Sequence, residues 1–217
     1  MNIYRELISK YLPYILGGIS VTVRLTAFSL ALSIVLGLFG ALARTAPNRV
    51  LNGLAAGYVE VIRGTPALLQ LFIIYFGLAN YHLRLSGTTA AIIALGVLGG
   101  AYLSETFRAG IEAVDRGQVE AAKSLGMRNP VILRRIVLPQ AILIILPPFG
   151  NFVISLIKDT SLALTISVPE LMYRSYDVSS QTFRSMEVFT IAGVIYLAIC
   201  YPLGRAVKYL ERFRPPQ

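Results

Sequence analysis

Charge, cysteine and histidine are all scarce in this chain of 217 residues. Only 14% of the residues are charged, whereas 55% are hydrophobic. A soluble domain needs more polar surface than this, so the composition argues against a soluble fold and predicts an integral membrane protein. With one cysteine, Cys200, the chain forms no internal disulfide and no cysteine-based metal site. No metal site of another kind is predicted.

The motifs of hydrolases and of ATPases are missing as well. There is no H-E-x-x-H, no G-x-S-x-G and a single histidine, His82, which we interpret as a solvated loop residue. A membrane-embedded enzyme is therefore the least favoured hypothesis. The G-x-x-x-x-G-K-[ST] phosphate loop is also missing, so the chain itself is not an ATPase and no cofactor is expected to bind to it.

Five segments are long and apolar enough to cross a bilayer, which takes roughly 20 residues each. Because lipid offers no hydrogen bonds to the backbone, all five should be helices, and we predict an all-α integral membrane protein with one transmembrane domain over residues 1–217. An apolar stretch at Thr160–Val168 is too short to span and is predicted to be re-entrant or interfacial. The predicted spans are Ile19–Ala43, Leu54–Leu78, Thr88–Ile111, Val137–Ile157 and Val188–Leu210.

The apolar stretch near the N-terminus is much longer than the hydrophobic region of a signal peptide. It follows Arg5, Glu6 and Lys10 without a clear small-residue cleavage site. We therefore expect it to be kept as a membrane anchor.

Lysine and arginine are distributed unevenly over the two sides that five crossings define. One side carries twelve of them and the other five, and the positive-inside rule places the richer side, with the C-terminus and the loop around Glu120, in the cytoplasm. The net charge of +9 is thus a topology signal that predicts anionic lipid neighbours, not nucleic acid. The twelve are Arg44, Arg49, Arg108, Arg116, Lys123, Arg128, Arg134, Arg135, Arg205, Lys208, Arg212 and Arg214.

The loop at residues 117–135 carries the most specific pattern in the chain. Glu120-Ala121-Ala122 is followed after three residues by Gly126 and after nine more by Ile136-Val137-Leu138-Pro139. This spacing resembles the cytoplasmic coupling loop by which ABC-transporter permeases dock onto their ATPase. The resemblance implies a separate ATPase dimer that carries ATP and magnesium, with Glu120, Ala121, Ala122, Gly126, Ile136, Leu138 and Pro139 as coupling residues. An ordinary amphipathic connector is the alternative.

Further stretches resemble the polar-amino-acid uptake branch of these permeases over roughly residues 16–213. The resemblance implies the type I ABC importer (MetI-like) fold in a bacterial inner membrane. It also implies a second permease subunit, identical or related, and a solute-binding protein that delivers the substrate. The stretches are Glu60–Pro66, Gln70-Leu71, Tyr75–Leu78, Ala101–Glu105, Arg108–Gly110, Gly150-Asn151 and Lys158–Leu162.

Arg63-Gly64-Thr65-Pro66 interrupts the second predicted span, because proline removes a backbone donor and glycine loosens the turn. We predict the break near the cytoplasmic end of that helix. It is interpreted either as a gate or hinge, or as a packing kink in which Glu60 and Arg63 pair one turn apart.

Ionisable groups inside a membrane usually face a cavity or a partner, and two places qualify here. Glu105 lies deep in the third span, and Lys158-Asp159 follow a fourth span that Pro147-Pro148 and Gly150-Asn151 are predicted to interrupt. Lys158 would bind the carboxylate of an amino acid, and Asp159 or Glu105 its ammonium. A structural Glu105–Arg108 pair and a lysine that snorkels are the alternatives. The candidate substrate residues are Lys158, Asp159, Thr160, Ser161, Asn151, Glu105, Gly99 and Ala101.

The pattern therefore predicts the permease subunit of an ATP-driven importer for polar amino acids. The stretches around Lys158 and Glu170 look most like members that carry neutral or acidic amino acids, such as cystine, glutamine or glutamate. A stand-alone secondary transporter or channel is the alternative from another class, and ATP dependence separates the two.

Overall fold

A computed structural model describes residues 2–211, with the side chains of residues 9–211. The side chains of Arg5 and Glu6, and the whole of Arg212 and Arg214, lie outside the described residues. The α-helices are α1 Asn2–Gly17, α2 Ile19–Thr45, α3 Arg49–Gly64, α4 Ala67–Phe72, α5 Leu78–Asn80, α6 Gly87–Glu112, α7 Arg116–Ser124, α8 Asn129–Ile132, α9 Leu138–Asp159, α10 Leu171–Thr182 and α11 Ser185–Glu211. Two π-helical turns, Ile73–Gly77 and Leu133–Val137, and a 3-10 helix at Thr160–Ile166 complete the chain order.

The predicted all-α membrane fold is confirmed. Four helical segments of the described chain are long and apolar enough to cross a membrane, and the bent pair formed by α3 and α4–α5 makes a fifth if it is counted as one span. Four of the five predicted spans correspond to α2, α6, α9 and α11 within a few residues. The short apolar stretch after α9 is the 3-10 helix Thr160–Ile166, which ends at Ser167 with a φ of 60°.

Small residues bring α2 and α6 into close contact. Ser29 and Ser33 of α2 are fully buried, and the Ser33 hydroxyl donates to the Gly96 carbonyl of α6 at 3.2 Å. A side chain at Gly100 would meet Leu36 within 2.6 Å. In lipid, where apolar burial gives little net drive, such close approach is the main source of helix association. The two helices thus form a rigid pair on which the rest of the molecule is built.

The break at residues 64–66 separates α3 from α4, and the axis of α3 differs by 106° from that of the segment Ala67–Asn80. Thr65 and Pro66 are extended there, with ψ values of 146° and 137°. The break was predicted near the cytoplasmic end of the second span, but it lies in the middle of the bent span that runs from Arg49 to Asn80. It is about 22 Å from the Arg49 end, at ~1.5 Å per residue, and beside the middle of α6. Hydropathy alone places the start of this helix too late, because Arg49 begins it.

The predicted interruption of the fourth span is wrong, since α9 is continuous through Pro147 and Pro148. Proline φ is compatible with a helix, and what each proline removes is one hydrogen bond to the carbonyl four residues earlier. Membrane helices tolerate that loss because neighbouring helices and side chains can satisfy the freed carbonyls. Instead, the regular α-helix ends only after Asp159.

Glu170 holds the region after the 3-10 helix together. Its side chain is fully buried and caps α10, accepting from the N–H groups of Met172 at 2.8 Å and Tyr173 at 2.7 Å and from the Tyr196 hydroxyl at 3.2 Å. Burial raises the pKa of this carboxyl, and the two N–H groups oppose that shift because they favour the charged form. The contact joins α10 to α11.

We expect Glu170→Ala to lower the thermal stability of the detergent-solubilised chain. The substitution leaves three partly buried donors without an acceptor, which costs about 2 kcal/mol. Thermal unfolding of the purified protein measures the effect. Glu187→Ala, in the first turn of α11, is the control; equal melting temperatures for the two variants would contradict the capping role.

Candidate functional site

The bend between α3 and α4 opens onto a cavity of ≈ 590 Å³, which we call the first cavity. Its volume is in the range typical of small-molecule sites. Among the described residues that line it, Asp159 is the only carboxylate, and neither lysine nor arginine lines it. The cavity therefore favours a positively charged group such as an ammonium. Its polar lining residues are Thr65, Tyr102, Thr106, Asn151, Ser155 and Asp159.

A second cavity of ≈ 560 Å³ continues from the first toward the α7 end of the molecule. The two share Tyr102, Thr106, Pro148 and Asn151 as walls, so they are adjacent cavities between α6 and α9. Its lining also includes charged side chains of both signs, namely Arg63, Glu105 and Glu211.

Ion pairs hold Glu105 at the wall of the second cavity. Its carboxylate accepts from the Nε of Arg108 at 3.1 Å and from a second nitrogen of the same guanidinium, and Arg44 lies at 3.8 Å. Arg108 also bonds Glu112. The structural pair that the sequence left open is thus formed, and Glu105 has no free charge to offer in this conformation.

Glu60 is different, because within the described residues it pairs with neither Arg63 nor another cation. Arg63 instead stacks on the Tyr102 ring at 5.1 Å.

The predicted substrate residues divide into two groups. Gly99, Asn151, Asp159 and Glu105 line one or both cavities. The other four are not among the residues that line them. Lys158 is exposed, Ser161 is half-buried and Ala101 is fully buried. The buried Thr160 hydroxyl donates to the Ile157 carbonyl at 2.7 Å. Consecutive residues of a helix point about 100° apart, which is why Lys158 and Asp159 diverge.

Sequence reasoning missed Tyr102, Thr106 and Ser155. A signal for Ser155 existed, because Asn151, Ser155 and Asp159 follow one another at intervals of four and so lie on one face of α9. Thr106 likewise lies one turn after Tyr102 on α6. Of the predicted gate residues, Thr65 and Pro66 line the first cavity and Arg63 the second, while Gly64 is exposed at the end of α3.

The predicted coupling loop is a helix that packs on its own chain. Asp115 caps α7 by accepting from the Gly117 N–H at 2.7 Å. Ala122 is only 3% exposed and contacts a cluster that includes Val137, whereas Ala121 is exposed. Of the two predicted coupling alanines, Ala122 is thus packed within this chain, and Ala121 is the one exposed to a partner. Only one side of so short a helix is free once the other is buried.

Two further contacts fix α7 relative to α9. The side-chain amide nitrogen of Gln140 donates to the side-chain oxygen of Gln118 at 2.6 Å. Ile136 packs against the cluster around Ala122. Leu138 is 38% exposed, and Pro139 is exposed just after the π-helical turn Leu133–Val137. Because these contacts join the two helices, a displacement of α7 would carry the start of α9 with it.

The end of α7 presents an exposed apolar side chain. Gly126 has a φ of 75°, and its N–H and that of Met127 donate to the carbonyls of Lys123 at 2.9 Å and Ala122 at 3.1 Å, which is a Schellman motif. This turn leaves Leu125 82% exposed, one turn after the exposed Ala121. Leu125 therefore presents an apolar side chain at this end of α7.

Comparison with known proteins identifies the family of this chain. Residues 33–214 match the family described as binding-protein-dependent transport system inner membrane component. The chain is 39% identical to the nopaline transport system permease protein of Agrobacterium fabrum strain C58, over 97% of this chain and 92% of that one. It is 40% identical to the L-cystine transport system permease protein of Bacillus subtilis, over 94% and 87%.

A solved structure described as an amino acid ABC transporter with histidines is similar throughout. It superposes with a TM-score of 0.90 at 36% identity and covers 94% of this chain and 96% of that one. Relatives of this kind are permease components and not catalytic subunits. The chain therefore belongs to the binding-protein-dependent transport system inner membrane components, among the amino-acid ABC transporter permeases.

Proposed function

We propose that this chain forms the substrate path of an ATP-driven importer for polar amino acids and couples that path to a separate ATPase dimer. One observation carries the proposal: α9 both contacts α7 through Gln140 and lines the two cavities with Asn151, Ser155 and Asp159. A displacement of α7 would therefore displace α9, the helix proposed to contact the substrate.

The first cavity is the proposed amino-acid site. Asp159 binds the ammonium of the substrate, and Asn151, Ser155 and the Tyr102 hydroxyl supply neutral hydrogen bonds. One carboxylate suffices for the α-ammonium and leaves none for a second cationic group, which favours neutral or acidic side chains. The names of the cystine and nopaline relatives show that substrates differ within the family.

Alternating access follows from the same arrangement. The solute-binding protein delivers the amino acid on the outer side, and the ATPase dimer closes on binding ATP and magnesium in the cytoplasm. Exposed Glu120, Ala121 and Leu125 contact the ATPase, so its closure displaces α7 and with it α9. The path then changes the side to which it opens, provided that each ligand binds one conformation better than the other.

A second permease subunit is proposed to cover the free face of α3. Gly53, Gly57, Glu60 and Gly64 lie at intervals of four, three and four along this face, and a Cβ added at any of the three glycines would have no neighbouring atom within 4 Å. Glu60 is an exposed carboxylate in an apolar helix, which is costly in lipid. A partner helix that approaches the glycines and hydrogen-bonds Glu60 removes that cost.

The test is reconstitution. The chain, co-expressed with a candidate ABC ATPase and a candidate solute-binding protein from the same organism, is purified and inserted into proteoliposomes. We expect an ATPase to co-purify in stoichiometric yield and uptake of radiolabelled L-cystine or L-glutamine to require ATP. Uptake that proceeds without an ATPase or ATP would instead support a secondary transporter.

A further inference from the structure

Gln70, near the end of α4, spans the bend between α3 and α4 with its side chain. It is 7% exposed, and its amide nitrogen donates to the Ile62 carbonyl at 2.7 Å and the Thr65 carbonyl at 3.2 Å. The same nitrogen lies 2.9 Å from the Thr65 hydroxyl, which in turn donates to the Val61 carbonyl at 2.9 Å. A chain of hydrogen bonds thus runs from α4 to the last turn of α3.

These bonds replace the ones that the break removes. The last four carbonyls of a helix have no partner within the helix, and in a membrane an unpaired carbonyl is especially unfavourable. In an unbroken helix the N–H of residue 66 would bond the Ile62 carbonyl, but Pro66 has no N–H. The Gln70 amide donates to that carbonyl in its place.

The orientation of the amide is determined by its neighbours. Carbonyl oxygens only accept hydrogen bonds, so the nitrogen of Gln70 must face Ile62 and Thr65. Its own oxygen is then buried without a partner among the described residues. A buried acceptor without a donor is destabilising, and the bonds that the nitrogen makes across the bend offset that penalty.

We propose that Gln70 is a positioning residue that locks the 106° bend and so sets the wall that Thr65 and Pro66 contribute to the first cavity. The bend then has two causes. Pro66 lacks the N–H that would continue the helix, and the Gln70 amide bonds the carbonyl that is left free. The effect on transport rests on the proposed function above. The effect on the bend does not.

The bend is measured by the distance between spin labels at residues 51 and 73, which carry the exposed Leu51 and Ile73. Cys200 is first replaced by serine, and labelled chain is diluted into unlabelled chain in nanodiscs. The two positions would be about 33 Å apart in one straight helix and much closer across the bend. We expect a single short distance, and the same distance in Pro66→Ala, because Gln70 still joins the two helices.

Gln70→Met keeps the side-chain length but removes the donor, and it should broaden the distance distribution. Pro66→Ala combined with Gln70→Met should shift it toward about 33 Å, because α3 and α4 are then free to join. Leu69→Met, a neighbouring exposed position, is the control and should change nothing. A wild-type distribution in Gln70→Met, or a long distance in Pro66→Ala with Gln70 intact, would overturn the proposal.

Transport gives a second readout in the complete complex. Gln70→Met should raise the KM for L-cystine uptake about threefold with a smaller change in maximal rate, since one weakened wall alters binding more than coupling. The basal ATPase rate should stay unchanged. An unchanged KM alongside a broadened bend would show that the bend is structural only, which contradicts the positioning role. If wild-type chain shows no ATP-driven uptake, the proposed function fails while the distances still report on Gln70.

Discussion

Gly126→Val is expected to abolish ATP-driven uptake while leaving the chain inserted in the membrane. Gly126 has a φ of 75°, a region that costs an L-residue roughly 1–2 kcal/mol and a β-branched residue more. Relief of that strain breaks the bonds to the Lys123 and Ala122 carbonyls. Leu125 then loses its fixed position at the end of α7, and the proposed contact with the ATPase is lost with it.

The structure allows backbone strain to be separated from steric exclusion. No atom lies within 4 Å of a Cβ placed at Gly126, so a clash with the rest of this chain does not contribute. Gly126→Asn adds a side chain of similar size, but asparagine tolerates this conformation, and it should keep most of the uptake. The measurements are L-cystine uptake, ATPase activity and ATPase co-purification at equal expression. Normal uptake by the valine variant would refute the docking role of this turn.

The linear spacing of the coupling loop could be recognised in the sequence, but its orientation could not. Glu120, Ala121, Ala122 and Gly126 stand out together because the pattern is local. Which alanine faces outward depends on how α7 packs against Val114, Ile132 and Val137, and these contacts come from both sides of the loop. The exposed Leu125 had no distinguishing signal, since a leucine in a short amphipathic helix is usually buried.

The spans were predictable and the shape of the path was not. Hydrophobic length identified α2, α6, α9 and α11, because lipid imposes the same requirement on every crossing. Proline was a poor guide: Pro66 marks a sharp bend, whereas α9 continues through Pro147 and Pro148. What distinguishes them is the side-chain hydrogen bonding around the break. At Pro66 the Thr65 and Gln70 side chains donate to the free carbonyls of Val61 and Ile62, and these bonds stabilise the bend.

Asp159→Asn is expected to lower amino-acid uptake by roughly ten- to a hundredfold. The substitution keeps the side-chain volume and removes the one carboxylate among the described residues that line the first cavity. A hydrogen bond to a charged group contributes about 1.5–3 kcal/mol, and each ~1.4 kcal/mol corresponds to a factor of ten. Radiolabelled L-cystine uptake in proteoliposomes measures the loss, and ATP hydrolysis stimulated by the binding protein should persist because α7 is unaltered.

Lys158→Gln is the matched control, since it changes the charge of the adjacent residue on the same turn. Lys158 is exposed and lines neither cavity, so uptake should stay within about a factor of two of wild type, as is usual for surface positions. A large loss in Lys158→Gln with little change in Asp159→Asn would move the ligand to the other face of α9 and restore the carboxylate-binding role predicted for Lys158. Equal, small effects would remove the first cavity as the amino-acid site. A large loss in Asp159→Asn alone would locate the ammonium at the point where Asn151, Ser155 and Asp159 share one face of the helix that α7 displaces.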